Sequence, residues 1–346
     1  VLCTALAASK LVPKVWMKRV WLTLLAVAVG CGVYVGFGLY NDSIPVMEDR
    51  DGLIYQYEPF AEGTKAVYLE EESTLKFDMP TIDMDGATAL YPIYSAFVQA
   101  VYPEGKYDIY DFKYNEEDGY GQVTCTGTIE AYERLIQGKT DIIFCAAPSQ
   151  DQLDAAERAG VQLHLTPIGR EAFVFFVHKD NPIDSLTVEQ IKGIYSGQIT
   201  NWKEVGGADE AILPFQRDPG SGSQSMLLRF MGDTPVMEAE TVEVQGMGAI
   251  IEEVADYQSR SGSIGFSFRF YVEGIIQNPD IKMIAIDGVA PTVENIKNGT
   301  YTAVTPVYAV TWAGNDNPNV KKLLDWILSE EGQYIIEETG YVGIQK

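Results

Sequence analysis

The sequence predicts an α/β protein, and three observations carry that reading. Short apolar runs alternate with stretches of helical period along most of the chain. Gly, Pro, Asn and Asp punctuate the boundaries between them. The alternation is sustained, strand then helix, rather than grouped into an all-β and an all-α part. At 346 residues the chain can hold one large domain or two ordinary ones.

The alternation starts near Asp78. In "PTIDMDGATALYPIYSAFVQAVYPEG" a short strand precedes Gly86-Ala87-Thr88 and then a helix. Leu90, Ile93, Tyr94, Phe97, Val98 and Val101 fall on one helical face, with Thr88 at the N-cap and Pro92 in the first turn. The unit recurs: "GQVTC" reads as a strand, Thr126-Gly127-Thr128 opens a helix that ends at Gly138, and "DIIFCAA" suits a buried parallel strand. "VQLHLTPI" and "AFVFFVH" follow as two strands. Thr187-Val188-Glu189-Gln190 is a capping box for a helix running to Gly197. "AILPF" leads into "RDPGSGSQ", "SIGFSFRFY" is a further strand, and Val320, Leu323, Leu324, Ile327 and Leu328 make a last amphipathic helix.

Ahead of this body the composition changes. Residues 41–76 are acidic and weakly periodic, and read as a tether with one segment docked on the domain. Trp21–Tyr40 carries no charge and has the length of a bilayer span, with Lys18 and Arg19 before it and Asn41-Asp42 after it. By the positive-inside rule the body then lies outside the cytoplasm, with the membrane contacted through this N-terminal helix. Met17 is the expected initiator. Two other readings of the segment, a cleaved signal and a lipoprotein site with Cys31 as the lipidated residue, put the body on the same side. Four cysteines are too few for a disulfide scaffold; Cys125 and Cys145 either pair or serve as small apolar residues near a site.

The net charge of −24 argues against nucleic acid as a partner. It does not argue against a small anion, since surface fields fade over about 8 Å at physiological ionic strength. The stretch "FQRDPGSGSQSMLLRF" is built for one. Gly220, Ser221, Gly222 and Ser223 precede a helix, so bare backbone and unpaired first-turn amides lie at its positive end. The hydroxyls of Ser221 and Ser223 and the guanidinium of Arg217 add donors suited to a tetrahedral oxyanion. Taken singly, Thr88 and the pair Thr126/Thr128 are ordinary helix starts. Together with Arg217 they form a convergent set, because strand-to-helix handovers of a parallel α/β sheet gather at one edge.

Enzyme readings fail on the same inspection. The serines lack the G-x-S-x-G spacing, and His164 and His178 both fall within apolar strand patterns, which leaves a hydrolase triad or a zinc site without support. Gly138-Lys139-Thr140 imitates the end of a phosphate loop, but position 133 is Glu and the order of elements is reversed. No metal or cofactor is expected.

With these residues in place, the chain resembles the periplasmic-type phosphate-binding proteins of the ABC phosphate transporter. The likeness is carried by "DGATALYPIYSAFVQ", "GTIEAYERLIQGKTDIIFCAAPS", "LTVEQIKGIYSGQITNWKEVGG", "RDPGSGSQ" and "GSIGFSF", spread through residues 81–346. It implies a two-lobed type II periplasmic-binding-protein fold behind the N-terminal anchor: two Rossmann-like lobes and two crossover strands. Lobe I would take about 77–167 and 300–346, and lobe II about 168–299. It implies a monomer without enzymatic activity that captures inorganic phosphate and delivers it to ABC permease subunits. The alternatives are a receptor for another tetrahedral oxyanion and a membrane-anchored phosphate sensor. By the same likeness Thr88 and Ala89, then Thr126 or Thr128, then Arg217, Ser221, Gly222 and Ser223 bind the ligand. One departure stands out. Where family members carry an Asp or a Ser-Arg pair after the "DIIFC" strand, this chain has Ala146-Ala147. In the family that Asp accepts the proton of hydrogen phosphate and rejects sulfate, and Asp85 or Glu130 are the candidates for a substitute.

Overall fold

The first strand–helix unit is laid down around one glycine. β1 (Met84–Gly86) runs parallel to β2 (Ile142–Cys145), and a Cβ at Gly86 would lie 2.6 Å from the Phe144 carbonyl oxygen. Only glycine lets the two backbones approach this closely. The computed structural model describes residues 20–21, 23–24, 50–107, 123–238, 248–255 and 262–344, and divides the chain into Val1–Glu48 and Asp49–Lys346. Apart from three helical residues, the expected span Trp21–Tyr40 lies outside the described residues, as does Cys31. Among the described residues no helix is long and apolar enough to cross a membrane.

After β1 the chain makes a 3₁₀ turn, Thr88–Leu90, before α1 (Tyr91–Val101). Thr88 is therefore not an N-cap: Ala87 holds that place ahead of the 3₁₀ turn, and the α-helix starts two residues later than expected, with Leu90 as its N-cap. The expected single apolar face of α1 is also exceeded, for all eleven of its residues are buried. The reason is the stretch read as a tether. Residues 50–76 lie along α1, where the Phe60 amide donates to Gln99 Oε1 (3.0 Å), Gln99 Nε2 reaches the carbonyls of Ala66 and Val67 (both 3.3 Å), and Lys76 Nζ reaches that of Ala100 (3.0 Å). Ile54 and Tyr57, on the 3₁₀ helix Arg50–Tyr57, are buried in the same core.

Of "GQVTC", the described part begins at Val123, which forms an isolated parallel bridge to Met84. α2 (Thr128–Ile136) leads to β2, and α3 (Gln150–Ala159), opened by a Ser149/Gln152 capping box, was not foreseen. The two expected strands that follow are one, β3 (Leu163–His178). Pro167 does not break it, because the register with its neighbour shifts between Pro167 and Gly169 and absorbs the missing donor. β4 (Ser185–Leu186) precedes α4 (Val188–Tyr195), which starts with the reciprocal Thr187/Gln190 capping box. Next come β5 (Leu213–Pro214), α5 (Gly222–Met231), α6 (Ala249–Ala255) and β6 (Ser263–Phe268). β6 stops short of the expected Tyr271, where a π-helical turn (Tyr271–Ile276) takes over. β7 (Ile281–Met283), β8 (Ala285–Ile286), α7 (Val293–Lys297), β9 (Val304–Trp312) and α8 (Pro318–Ile327) follow. α8 is not the last helix: α9 (Glu330–Thr339) buries Ile335 and Ile336 before β10 (Val342–Gly343) closes the chain.

The main sheet has the order β1-β2-β9-β3-β6-β5, with β10 and β7 also paired to β3. It is mixed: β1/β2 and β5/β6 are parallel, whereas β2/β9, β9/β3 and β3/β6 are antiparallel. β3 joins its two halves. Leu163 to Ala172 pair with β9, and Phe173 to Val177 pair with β6. The chain returns beside it, since the Phe173 amide donates to the Ala303 carbonyl (2.8 Å) just ahead of β9. Two adjacent antiparallel segments thus cross at Ala172–Phe173, and the cleft opens beside that crossing.

Candidate functional site

One cavity of about 500 Å³ is lined by Thr88, Ala89, Thr126 and Thr128 from the β1–β2 half and by Arg217, Ser221, Gly222 and Ser223 from the β5–β6 half. Both groups stand where a strand hands over to a helix, at the carboxyl ends of the two parallel pairs. That is where open α/β sheets present backbone amides to a ligand.

On the β5 side the helix start is well defined. Gly220 has φ 83°, a left-handed turn suited to glycine, and Ser221 is the N-cap of α5, its Oγ accepting the Gln224 amide at 3.3 Å. The Gly222 and Ser223 amides precede the first intrahelical bonds and sit at the positive end of the ten-residue helix. Arg217 is fixed from both ends. Its amide donates to Gln224 Oε1 (2.9 Å), and its Nη1 donates to Ser223 Oγ (3.4 Å). Since both serine oxygens already act as acceptors here, each hydroxyl proton can point into the cavity.

The opposite wall gives different roles to two neighbouring threonines. Thr126 donates its hydroxyl to Asp85 Oδ2 (2.8 Å) and its amide to Asp85 Oδ1 (2.9 Å). Asp85 also accepts the Gly86 amide and pairs with Arg134 Nε at 2.9 Å. Its carboxyl is fully buried, and that burial pushes its pKa up against the pull of these donors. Asp85 therefore braces the loop and does not line the cavity, which removes it as a substitute acceptor. Thr128, the first residue of α2, keeps its hydroxyl at the cleft, where a Cβ on Gly222 would come within 3.0 Å of its Oγ1. Glu130, the other candidate acceptor, lines the cavity but is exposed.

Ala146 is buried in the cavity wall at the end of β2, and its carbonyl accepts the Tyr132 hydroxyl (2.8 Å). Cys125 and Cys145 are buried thiols, not a disulfide, and burial raises the Cys145 thiol well above its ordinary range. His164 is exposed on β3, and His178 lies 3.6 Å from the Asp180 carboxylate, away from the cavity. Thr140 is used in the fold, donating to the Asp83 carbonyl (2.8 Å).

Sequence reading missed several lining residues, above all Glu171, with Phe268 and Tyr341. Glu171 stands on β3 beside the crossing. Its Oε1 accepts the Ala172 amide (2.7 Å) and faces Arg269 Nε at 3.5 Å. Burial pushes this carboxyl up to about 7, while Arg269 and the Ala172 and Phe270 amides oppose the rise. A signal did exist in "EAFVFFV", where an acid stands directly ahead of an unbroken apolar run. The Tyr341 hydroxyl donates to the Ala89 carbonyl and holds the first turn against the end of the chain.

The two walls also touch directly. Gln152 Nε2 donates to the Gly220 carbonyl (3.3 Å), and Arg229 Nη2 donates to the carbonyls of Ala147 (3.0 Å) and Pro148 (2.6 Å). Hydroxyls, helix-start amides and a guanidinium meeting on one cavity can enclose a small anion. Among the described residues no cluster of His, Cys, Asp and Glu suits a metal ion.

Comparison with known proteins bears on the family and the fold. The profile of the PBP superfamily domain matches residues 71–331. The phosphate-binding protein PstS of Borreliella burgdorferi is 27% identical over 184 residues, covering 52% of this chain and 66% of that protein. The match thus spans just under two thirds of that relative. A phosphate ABC transporter substrate-binding protein from Clostridium perfringens, solved with bound phosphate, is 27% identical with a TM-score of 0.59, covering 76% of this chain and 99% of its own. An ABC-type phosphate transport receptor from Vibrio cholerae is 25% identical with a TM-score of 0.55, covering 76% of this chain and all of its own.

Proposed function

The chain belongs to the PBP superfamily, and from that premise we propose that it is an extracytoplasmic solute-binding protein that captures inorganic phosphate for an ABC permease. The observation that carries the reading is the meeting of three helix starts and Arg217 on one cavity. The relatives named for phosphate binding and transport support the choice of anion.

In this reading the ligand set is divided between the walls. The amides of Thr88 and Ala89 and the hydroxyl and amide of Thr128 hold the anion from one side. Arg217, with the amides and hydroxyls of the Ser221-Gly222-Ser223 turn, holds it from the other. Thr126 orders the loop through Asp85 and offers no hydroxyl proton. Micromolar capture requires about −8 kcal/mol. Several charge-assisted hydrogen bonds in an enclosed cleft are of the right order. The anion bridges both walls, so occupancy favours the closed form.

Trp21–Tyr40 serves as the anchor that keeps the binding domain beside the permease, on the outer side of the membrane, and the domain acts as a monomer. Tethering raises the effective concentration at the partner without new contacts. The decisive experiment is calorimetry with phosphate on the purified chain and on the Arg217→Ala/Ser223→Ala variant. A loss of at least 100-fold is expected; unchanged affinity would remove the anion site from the proposal.

A further inference from the structure

The cavity is rich in donors: amides, hydroxyls and the Arg217 guanidinium all offer protons. A tetrahedral oxyanion bearing its own O–H also needs an acceptor. Three acids line the cavity, and two are poor choices. Glu130 is exposed, and Asp218 is only half-buried, so water competes for both. Glu171 differs. It is 1% exposed, its Oε1 is occupied by the Ala172 amide, and among the described residues its Oε2 has no hydrogen-bond partner. A buried carboxylate oxygen left unsatisfied is costly, and such an atom in a cavity wall calls for a partner that the ligand can bring.

We propose that Glu171 is the residue that reads the proton of the ligand, its Oε2 accepting the P–OH of hydrogen phosphate and thereby excluding sulfate. The assignment rests on the phosphate reading above and deepens it. Both hydrogen phosphate and dihydrogen phosphate carry such an O–H, whereas sulfate at neutral pH carries none. Sulfate would face the buried Glu171 carboxylate with lone pairs against lone pairs, an unfavourable contact in a poorly solvated wall. The position suits the task. Glu171 pairs with Thr305 on β9, one residue before β3 changes partners, so the acceptor is held by the crossing that both halves share.

The charge state of Glu171 supplies a signature. The groups around it are Arg269 and Glu273 from the segment after β6, Tyr301 ahead of β9 and Tyr341 ahead of β10. Across the cavity stand Arg217, Asp218 and Glu130. With its carboxyl near 7, Glu171 is mostly an acceptor at pH 8 and mostly a donor at pH 6. A protonated Glu171 donates to a sulfate oxygen. Because sulfate does not titrate in this range, its affinity reports the protein group alone.

The test is calorimetric titration of phosphate and of sulfate at pH 6 and pH 8, on the wild-type chain and on Glu171→Gln and Glu171→Asp. In the wild type, sulfate affinity should rise at least fivefold from pH 8 to pH 6. Glu171→Gln replaces the acceptor oxygen with an amide that can donate; the phosphate-to-sulfate ratio at pH 8 should fall at least 30-fold and the sulfate pH dependence should vanish. Glu171→Asp keeps the charge on a shorter arm, and should weaken phosphate while still rejecting sulfate. Wild-type rejection of sulfate that persists unchanged in Glu171→Gln overturns the assignment while leaving phosphate capture intact. So does equal weakening of both anions, which would mark a purely structural role beside Arg269. Absence of phosphate binding by the wild type sinks the underlying reading as well.

Discussion

Gly222 shows how a single missing methyl can serve binding rather than folding. It is the first residue of α5, and its φ is not left-handed, so alanine there meets no backbone strain and gains helical propensity. Yet the added Cβ would stand 3.0 Å from Thr128 Oγ1, on the line where the two walls approach. Gly222→Ala should leave stability within about 1 kcal/mol of wild type and weaken phosphate binding by more than tenfold, read by urea melts and calorimetry on the same preparation. Glu171 gives the opposite case, a residue whose chemistry is visible in stability. Its folded-state pKa, near 7, lies above the ordinary 4.5. The native state therefore holds a proton that the unfolded chain has released, and this stability is fully present below about 4.5 and lost as pH rises through about 7. Against Glu171→Gln, the anion-free wild type should lose on the order of 2–3 kcal/mol over that window. Parallel stability curves for the two proteins would contradict it.

Elements tell which parts of the molecule short-range pattern can specify. The segment 50–76 carries little periodicity, but Gln99 of α1 makes three hydrogen bonds to it, and Ile54 and Tyr57 enter the core. Gln99→Ala should cost about 1–3 kcal/mol and make residues 58–70 the first site of proteolysis, which limited digestion with mass spectrometry would detect. Where a local signal exists the sequence is enough. The Thr187 capping box, the α5 start at Ser221 and the apolar positions of α1 are all where pattern puts them. Where tertiary pairing decides, pattern misleads. Two apolar runs, one ending at Ile168 and one starting at Ala172, read as separate strands, but pairing with β9 carries on through a register shift between Pro167 and Gly169, and one strand of sixteen residues results. Thr126 and Thr128 look interchangeable in sequence; only the arrival of Asp85 beside Thr126 separates the brace from the threonine whose hydroxyl lies beside Gly222. The acid of Glu171 ahead of an apolar run is visible in the sequence, but its role comes from the crossing.

At the scale of the molecule, the net charge of −24 and the task of holding an anion pull in opposite directions. Local donors decide the outcome at the site, because the general field is screened within about 8 Å at physiological salt. Capture then depends on the walls meeting, and contacts outside the cavity contribute to that. Arg229 lines no part of the cavity, yet its guanidinium reaches from α5 to the Ala147 and Pro148 carbonyls on the opposite wall. If the closed arrangement is the one that binds, apparent affinity scales with the fraction of molecules in it. Arg229→Ala removes the clasp and should lower that fraction. We expect a fivefold to tenfold loss of phosphate affinity, with the Arg217 and Ser223 contacts untouched. Small-angle scattering should show a larger radius of gyration for the variant without phosphate, returning to the wild-type value at saturation. Saturation matters because a ligand that bridges both walls can supply the closure the clasp no longer does. An affinity loss that comes with identical scattering in both states would mean that Arg229 acts on the site locally, not through the hinge. Unchanged affinity would mean that β3 and its return segment hold the walls together without help from the cleft edge.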